Sequence, residues 1–279
     1  MRSGMCDDKW RVMMIKDILA TLPAGDAPSF ALDYAVTVAS TFDAHLTGVA
    51  FVQDLASAAA LFDGATAIVL DDYRREVEVA AEAAKARFEE TWQREGLSAE
   101  SMILNAGAIS LPELLARTAR RFDLTILPQA DPEDGGLGEV MIEAALLGSG
   151  RPILIVPYFH EGRVKFERVL VCWDGSHNAT RAIADEMPFL TLAKRVEVIT
   201  VARGEEADDS IAGPSIAHHL SRHGASVEAR SIAAHGQGVS LRIRSHAAQQ
   251  SADLIVMGGY GHSWLREFIF GVSFGSRGR

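Results

Sequence analysis

The chain has 279 residues, of which 48% are hydrophobic and 23% are charged, and this composition is that of a globular protein long enough for two domains. Its formal net charge is -10, from 27 basic and 37 acidic side chains. That balance excludes a broad cationic surface of the kind that binds nucleic acid phosphates. With only Cys6 and Cys172, the chain cannot build a disulfide framework, which favours the cytoplasm.

The N-terminal segment has Asp7, Asp8 and Lys9 where a secretory signal would need apolar residues. The longest apolar stretch, residues 55–70, contains Asp63 and is shorter than the ~18 residues that a membrane span needs. The sequence therefore predicts a soluble, cytoplasmic protein that does not enter a membrane.

In the first half of the chain, short runs rich in Val, Ile and Leu alternate with longer amphipathic segments. This pattern is typical of a parallel sheet covered by helices. The predicted strands are 13–22, 45–52, 99–105, 124–128 and 152–157. The predicted helices are 28–41, 71–95, 111–121 and 137–147. The charged run 76–90 is interpreted as the solvated face of one of these helices.

The second half repeats this order. Its predicted strands are 168–173, 196–201, 226–233 and 254–257, and its predicted helices are 177–190, 214–223 and 239–250. Residues 16–19 resemble 167–170, and residues 122–127 resemble 252–257. For one pair of strands, the general likeness of αβ units would explain such a match equally well, but order and spacing together favour an internal repeat.

The polar segment 159–165 is the predicted linker, which gives domains at 10–158 and 166–279. The second copy is incomplete, because the chain ends in the sequence SFGSRGR, which has neither helical nor strand periodicity. The second domain is therefore predicted to lack its last helix and strand.

A glycine-rich loop follows the strand 254–257, with glycines at 258, 261 and 271. Glycines let a backbone approach a ligand closely, and exposed N–H groups at the end of a parallel strand can hold phosphates. A glycine cluster alone is also compatible with a plain strand-to-helix turn, which is the commoner case. The loop is therefore a candidate anion site.

A second candidate is Asp174, which directly follows the strand 168–173. In a doubly wound sheet this position lies beside the end of the strand 254–257, where a carboxylate can bind a ribose hydroxyl or an adenine edge. The alternative role is helix N-capping, which Ser176 or Asn178 could equally fill. Both roles are compatible with one site.

The spacing Gly-x-x-Gly, nine residues, then Gly, after a strand ending in Met257, resembles the ATP-binding signature of the universal stress protein (UspA) family. The segment GGYGHSWLREFIFG is similar to a form found in tandem two-domain members of that family. The resemblance implies an α/β fold of two flavodoxin-like, HUP-type (adenine nucleotide alpha hydrolase-like) domains. Each would have a parallel sheet of order 3-2-1-4-5, apart from the missing end of the second.

The resemblance also implies that the second domain binds ATP or AMP, with or without Mg²⁺. Asp174 falls at the position of the family's adenosine-contacting aspartate, and Val201 at the residue that packs on adenine. The cofactor-binding residues implied by the resemblance are Cys172, Trp173, Asp174, Val201, Met257, Gly258, Gly261, His262, Gly271, Val272 and Ser273.

The chain departs from the family pattern in both halves. Val272 stands where the family has a small hydroxyl residue, with Ser273 one position late, and no helix follows to point its N-terminus at a phosphate. We expect lower nucleotide affinity and an exposed sheet edge from these changes. In the first half, Pro23 occupies the position of Asp174, and the strand 124–128 runs into an acidic loop.

The same glycine spacing also occurs in the first half of the chain, at Gly135, Gly138, Gly148 and Ser149. We predict that Gly148 caps the end of the preceding helix, because the strand 152–157 begins too soon for another helix. Acidic residues in this loop would repel an anion, namely Asp131, Glu133 and Asp134. One nucleotide site is therefore expected.

No metal site is predicted, because the histidines at 218, 219 and 223 lack the metalloprotease glutamate and suit a solvated helix face. No catalytic residue is predicted either, since Ser176 and His177 lie outside any nucleophile elbow. The leading hypothesis is a cytoplasmic, non-enzymatic stress-response regulator that binds an adenosine nucleotide and acts through a second copy or another protein. The alternatives are a scaffold that binds no nucleotide and, ranked last, a weak ATPase.

Overall fold

The computed structural model describes residues 15–23, 30–53, 67–130, 136–157, 164–202, 213–233 and 238–259. Among these residues, the chain divides into two compact units between Val164 and Lys165. Each unit contains its own parallel sheet. The predicted domain limits 10–158 and 166–279 include residues outside the described ranges and stay predictions.

The first unit alternates strands and helices. Its strands are β1 (Asp17–Thr21), β2 (His45–Val52), β3 (Ala99–Asn105), β4 (Leu124–Pro128) and β5 (Ile153–Val156). Its helices are α1 (Phe30–Phe42), α2 (Ala67–Glu95), α3 (Leu111–Ala119) and α4 (Leu137–Gly148). The strands are all parallel and lie in the order β3-β2-β1-β4-β5, as predicted.

The second unit repeats this plan. Its strands are β6 (Arg168–Cys172), β7 (Arg195–Ala202), β8 (Val227–Ala233) and β9 (Leu254–Val256). Its helices are α5 (His177–Asp185), α6 (Met187–Leu192), α7 (Gly213–Arg222) and α8 (Val239–Gln250). The strand order β8-β7-β6-β9 matches the first four strands of the other sheet. The predicted α/β fold class is confirmed, while the predicted loss of the last helix and strand concerns residues after 259, outside the described part.

The same hydrogen-bonded arrangement occurs within each unit, at the start of its first strand. One carboxylate oxygen of Asp123 accepts from the backbone N–H groups of residues 16 and 17, at 2.9 and 3.1 Å. Asp253 does the same for residues 167 and 168, at 3.0 and 2.9 Å. Each aspartate therefore ties the strand it precedes to the first strand of its unit, which supports the predicted internal repeat beyond the likeness of strands.

Alternate residues of the second sheet point to a core formed with α5, α6 and α7. Its sheet contribution comes from Val169, Val171, Val196, Val198 and Val256. In the first unit the equivalent strands pack a further core against α3 and α4, centred on Leu19, Val49, Leu115, Ile142 and Ala145. Burial of these apolar residues, at about 25 cal/mol per Å², is the main force that holds each sheet to its helices.

The prediction of a single helix over 177–190 was wrong, because α5 ends at Asp185 and α6 begins at Met187. Pro188 explains the break, since it has no N–H to donate and its ring clashes with the carbonyl four residues earlier. Glu186 sits at the junction with φ -92° and ψ 6°. The apolar periodicity continues across the break, which is why the pattern predicted one helix.

Glu186 leads to a prediction about pH. Burial, and to a smaller extent the neighbouring Asp185 carboxylate, raise the pKa of its carboxyl from the usual 4.5 to about 8. The native state therefore holds a proton that the unfolded chain releases above about pH 4.5, so stability falls as the pH rises from there towards 8. Glu186→Gln cannot ionise, and we expect it to exceed the wild type in stability at pH 8 by on the order of 2 kcal/mol.

Urea unfolding at pH 5, 6.5 and 8 measures this difference. The advantage of Glu186→Gln should grow steadily across the three values and be small at pH 5. A difference that is the same at all three values would show that the Glu186 carboxyl is already ionised in the folded protein.

Candidate functional site

The ends of three strands meet at one edge of the second sheet. β6 lies between β7 and β9, with Cys172 level with Ile199 and Val171 level with Val256. The N–H of Trp173 donates to the Ile199 carbonyl at 2.8 Å, which continues this register past the end of β6. In doubly wound sheets the strand order reverses at this place, and ligands bind in the crevice that results.

The turn after β6 is fixed by its own side chains. A carboxylate oxygen of Asp174 accepts from the Ser176 N–H at 2.9 Å, and Gly175 has φ +75°. Ser176 is the N-cap of α5, because its hydroxyl accepts from the Ala179 N–H at 3.1 Å. Of the capping candidates in the sequence, Ser176 therefore caps the helix, and the partly exposed Asp174 supports the turn at the sheet edge.

Gly258 lies against the first turn of α5. A Cβ at this position would come within 2.7 Å of the Ala179 nitrogen and 2.9 Å of the Asn178 carbonyl carbon. No real side chain tolerates such distances to backbone atoms, so only glycine lets the chain leave β9 here. The structure thus brings the start of the predicted loop, Met257 and Gly258, beside the turn that contains Asp174.

The remaining described candidates line the same edge or support it. The β6–β7 register, continued two residues, sets the partly exposed Val201 level with Asp174. Trp173 packs partly buried against the hydrophobic core of the second unit. Burial, and to a smaller extent the Asp174 carboxylate, raise the pKa of the Cys172 thiol to about 12, so the thiol is neutral and is not a nucleophile.

Five predicted residues lie outside the described residues: Gly261, His262, Gly271, Val272 and Ser273. They belong to the part of the loop expected to hold phosphates. That part of the site stays a prediction.

The first unit differs at the corresponding edge. The Leu22 N–H donates to the Val49 carbonyl at 2.9 Å, just as Trp173 donates to Ile199, so Pro23 takes the place of Asp174. The nearby Gln53 amide is bound to the β3–α3 loop, through the carbonyls of residues 107 and 109 at 3.2 and 3.4 Å. This edge therefore presents no carboxylate where the second unit has one.

Gly148 belongs to the second set of glycines that satisfies the loop spacing, and in the structure it lies at a contact between two helices. The predicted capping role of Gly148 was wrong, because it is the last residue of α4 and Ser149 is the C-cap. A Cβ on Gly148 would lie 2.8 Å from the Ala116 Cβ, so the glycine is needed where α3 and α4 touch. Gly135 and the acidic residues 131–134 lie outside the described residues.

His219, near the end of α7, and His223, directly after it, have neighbouring rings. The rings of His219 and His223 are 4.7 Å apart between centroids. Within the described ranges, no three His, Cys, Asp or Glu side chains come close enough together to hold a metal ion. In the same part of the chain, no helix is long and apolar enough to cross a membrane.

The sequence analysis missed a buried polar network on β7 and α8. His246 Nε2 lies 3.0 Å from Glu197 Oε2, and both side chains are almost completely buried. Arg230 Nε lies 2.7 Å from the other oxygen of the same carboxylate. The available signal was a glutamate within the apolar run VEVITV, but the sequence does not show which helix residue packs over it.

No family model and no curated protein matches this chain by sequence. Solved structures do match. A universal stress protein from Archaeoglobus fulgidus is similar with a TM-score of 0.63 and 18% identity, over 90% of this chain and 88% of that one. A putative universal stress protein from Pseudomonas aeruginosa UCBPP-PA14 has a TM-score of 0.53 and 16% identity, over 91% and 87%. A functionally unknown protein from Pseudomonas aeruginosa PAO1 has the same score and identity, over 91% and 86%.

These structures confirm the resemblance at the level of fold. The coverage of about nine tenths of each chain spans both units, so the likeness is to the two-domain form. At such identities the comparison fixes the fold and leaves the ligand to be argued from the site.

Proposed function

We propose that this chain is a universal stress protein whose second unit binds an adenosine nucleotide, ATP or AMP, with or without Mg²⁺. The observation that carries the proposal is the contact of Gly258 with the first turn of α5. This contact joins the start of the glycine loop to the Asp174 turn at the strand-order reversal, where α/β sheets bind ligands.

The residues at this edge suit the parts of a nucleotide. Val201 offers an apolar surface to a base, and the Asp174 carboxylate is an acceptor for a ribose hydroxyl or an adenine amino group. Gly258 has no side chain, and the first turn of α5 fills the place that its Cβ would take, so the start of the glycine loop is held against the Asp174 turn. The first unit has Pro23 instead of the carboxylate, so we propose one site for each chain.

We further propose that the protein acts as a cytoplasmic stress-response regulator and not as an enzyme. The Cys172 thiol is held neutral, and the Ser176 hydroxyl is engaged as the cap of α5. Neither is placed as a nucleophile with an adjacent base. A nucleotide-dependent change in contacts with a second copy or another protein would then be its output.

Titration of the full chain with a fluorescent ATP analogue tests the nucleotide site. Asp174→Asn keeps an acceptor for the Ser176 N–H but removes the charge, so the turn should persist while affinity falls about tenfold or more, which corresponds to about 1.4 kcal/mol. Gly261→Asp, which sets a negative charge in the loop, should abolish binding. Pro23→Ala, at the equivalent position of the first unit, is the matched control and should bind like the wild type.

No binding by the wild type, or equal binding by all four proteins, would remove the proposal. Native mass spectrometry of freshly purified protein adds an independent measurement, since a copurified adenosine nucleotide has a characteristic mass.

The second candidate function is a scaffold that works through protein contacts alone. Its supporting observation is the apolar surface of α4, where Leu137, Val140 and Leu147 are 49%, 50% and 44% exposed. Apolar side chains that share one exposed helix face are typical of protein-binding surfaces. Retained nucleotide in the native mass spectrum would contradict this candidate.

A further inference from the structure

His219 and His223 present two neighbouring imidazole rings at the surface of the second unit. Both side chains are exposed, and their ring centroids lie 4.7 Å apart with an angle of 59° between the ring planes. Apart from this ring contact, neither side chain has a hydrogen-bond or ion-pair partner among the described residues. A neutral imidazole has one nitrogen with a free lone pair, so the pair offers two nitrogen ligands.

The separation of the two rings fits that of two imidazoles bound to one metal ion. A metal–nitrogen bond of about 2.0–2.1 Å puts the ion about 3.2 Å from the centre of an imidazole ring. Two rings that bind one ion at about 90° then have centres about 4.5 Å apart, and at the tetrahedral angle about 5.2 Å. The observed 4.7 Å lies between these values. Because both side chains are exposed, rotation of each ring can aim a nitrogen at a shared ion without displacing another group.

The backbone that carries the two rings is anchored in the core of the second unit. His223 directly follows α7, where the Leu220 carbonyl accepts from the N–H groups of His223 and Ala225 at 3.0 and 3.2 Å. Leu220 and Ala225 are both buried in the hydrophobic core. Gly224 completes the turn with φ +90°, a conformation that favours glycine. The two imidazoles are therefore held one helical turn apart before an ion arrives, so binding has little backbone to order.

The position at a helix end favours a cation. The last turn of a helix has carbonyl groups without partners in the helix, so it carries partial negative charge. His219 lies in the last turn of α7, and the whole chain has a net charge of -10. Arg222 lies in the same turn and opposes a cation. The charge of Arg222 should therefore weaken binding, and its removal should strengthen it.

We propose that His219 and His223 together chelate a divalent transition metal ion. Imidazole suits copper, nickel and zinc, whereas magnesium and calcium take oxygen ligands. Copper should bind most tightly, because Cu²⁺ heads the affinity order and its tetragonal geometry has the angle of about 90° that the rings nearly match. Water fills the remaining positions, since no third His, Cys, Asp or Glu of the described residues joins the pair. The missing metalloprotease glutamate does not oppose this site, because that residue is a base and not a ligand.

The metal site is separate from the proposed nucleotide site. α7 lies between β7 and β8, which are parallel, so it runs from the carboxyl end of β7 back to the start of β8. Val201 and Asp174 lie at the carboxyl ends of the strands. The histidines stand at the far end of α7, at the opposite edge of the sheet. Metal binding and nucleotide binding can therefore fail independently.

Isothermal titration calorimetry of the full chain with Cu²⁺ at neutral pH tests the site. We expect the wild type to bind one ion more than the double variant His219→Ala/His223→Ala, whose remaining histidines account for any other bound copper. Each single variant should weaken this binding about tenfold or more, because one of two protein ligands is lost. Arg222→Gln should bind more tightly than the wild type.

His218→Ala is the matched control and should bind copper like the wild type. His218 is also exposed on α7, but the residue four positions further on is Arg222, so it has no histidine on its own face. Electron paramagnetic resonance, with less than one Cu²⁺ per chain, identifies the ligands. Splitting by two nitrogens is expected in the wild type and in His218→Ala. Nickel and zinc should bind more weakly, with the same dependence on the two histidines.

Thermal unfolding without metal checks that the variants fold. Because the substituted side chains are exposed, we expect melting temperatures within about 3 °C of the wild type. Equal copper binding by the wild type and the double variant would show that the two rings merely touch, and it would overturn the proposal. A loss of affinity in His218→Ala as large as in His219→Ala would also overturn it, since binding would then depend on the number of histidines and not on this pair.

Discussion

Glu197→Leu is expected to lower the free energy of unfolding by about 3 kcal/mol or more, among the largest effects of any single substitution in this chain. Glu197 is only 5% exposed and lies in β7 between Val196 and Val198. Removal of its carboxylate leaves His246, a buried residue of α8, without its partner and leaves Arg230 without its counter-charge. Most of the lost stability therefore comes from His246 and Arg230, which remain in place without their partner.

The double variant Glu197→Leu/His246→Leu separates this explanation from simple loss of a contact. Replacement of a whole buried polar pair by apolar side chains is often close to neutral. We expect the double variant to recover most of the stability that Glu197→Leu loses, as measured by urea unfolding. Losses that simply add would show that the two side chains do not interact.

The Glu228–Arg195 pair provides a matched control in the same sheet. Its Arg195 Nη2 lies 3.0 Å from a Glu228 oxygen, but both side chains are about half exposed. Exposed ion pairs contribute about 0–1 kcal/mol, so Glu228→Gln should change stability little. The contrast between Glu197 and Glu228, which are level with each other on β7 and β8, isolates the effect of burial.

The strand order and the αβ repeat were predictable because they rest on local signals: short apolar runs, polar loops, and strands that reappear in the same order. The break at Glu186 was missed because the apolar period continues through it, although Pro188 is visible in the sequence. A proline one residue into a new helix and a proline inside an old one look alike until the backbone dihedral before it is known.

The location of the candidate site was predictable in part for the same reason. Asp174 and Gly258 each follow a predicted strand, and adjacent strands in a parallel sheet end at one edge. The choice of Ser176 as the cap was not predictable, because Asp174, Ser176 and Asn178 are all good capping residues and backbone dihedrals decide between them. The Glu197–His246 pair depends on how α8 lies over β7, which no local pattern encodes.

Gly258→Ala is expected to weaken binding of the ATP analogue about a hundredfold, about 2.7 kcal/mol, and to lower stability by about 1–3 kcal/mol. The added Cβ would meet the Ala179 nitrogen at 2.7 Å, and backbone atoms cannot rotate aside as a side chain can. Either the loop after β9 or the first turn of α5 has to move. The turn is held by the Ser176 cap and the Asp174 hydrogen bond, so both halves of the proposed site lose their relative placement.

Gly148→Ala in the first unit is the matched control for this strain. Its Cβ would lie 2.8 Å from the Ala116 Cβ, so it introduces a similar close contact between two elements. We expect a comparable loss of stability and unchanged nucleotide affinity, measured by urea unfolding and by titration of the same samples. If Gly258→Ala retains wild-type affinity while losing stability, the glycine serves packing alone, and the contact between the loop and α5 does not position the nucleotide. If it loses affinity and Gly148→Ala does not, the effect on binding arises from the local displacement at the sheet edge, because general destabilisation would affect both variants alike.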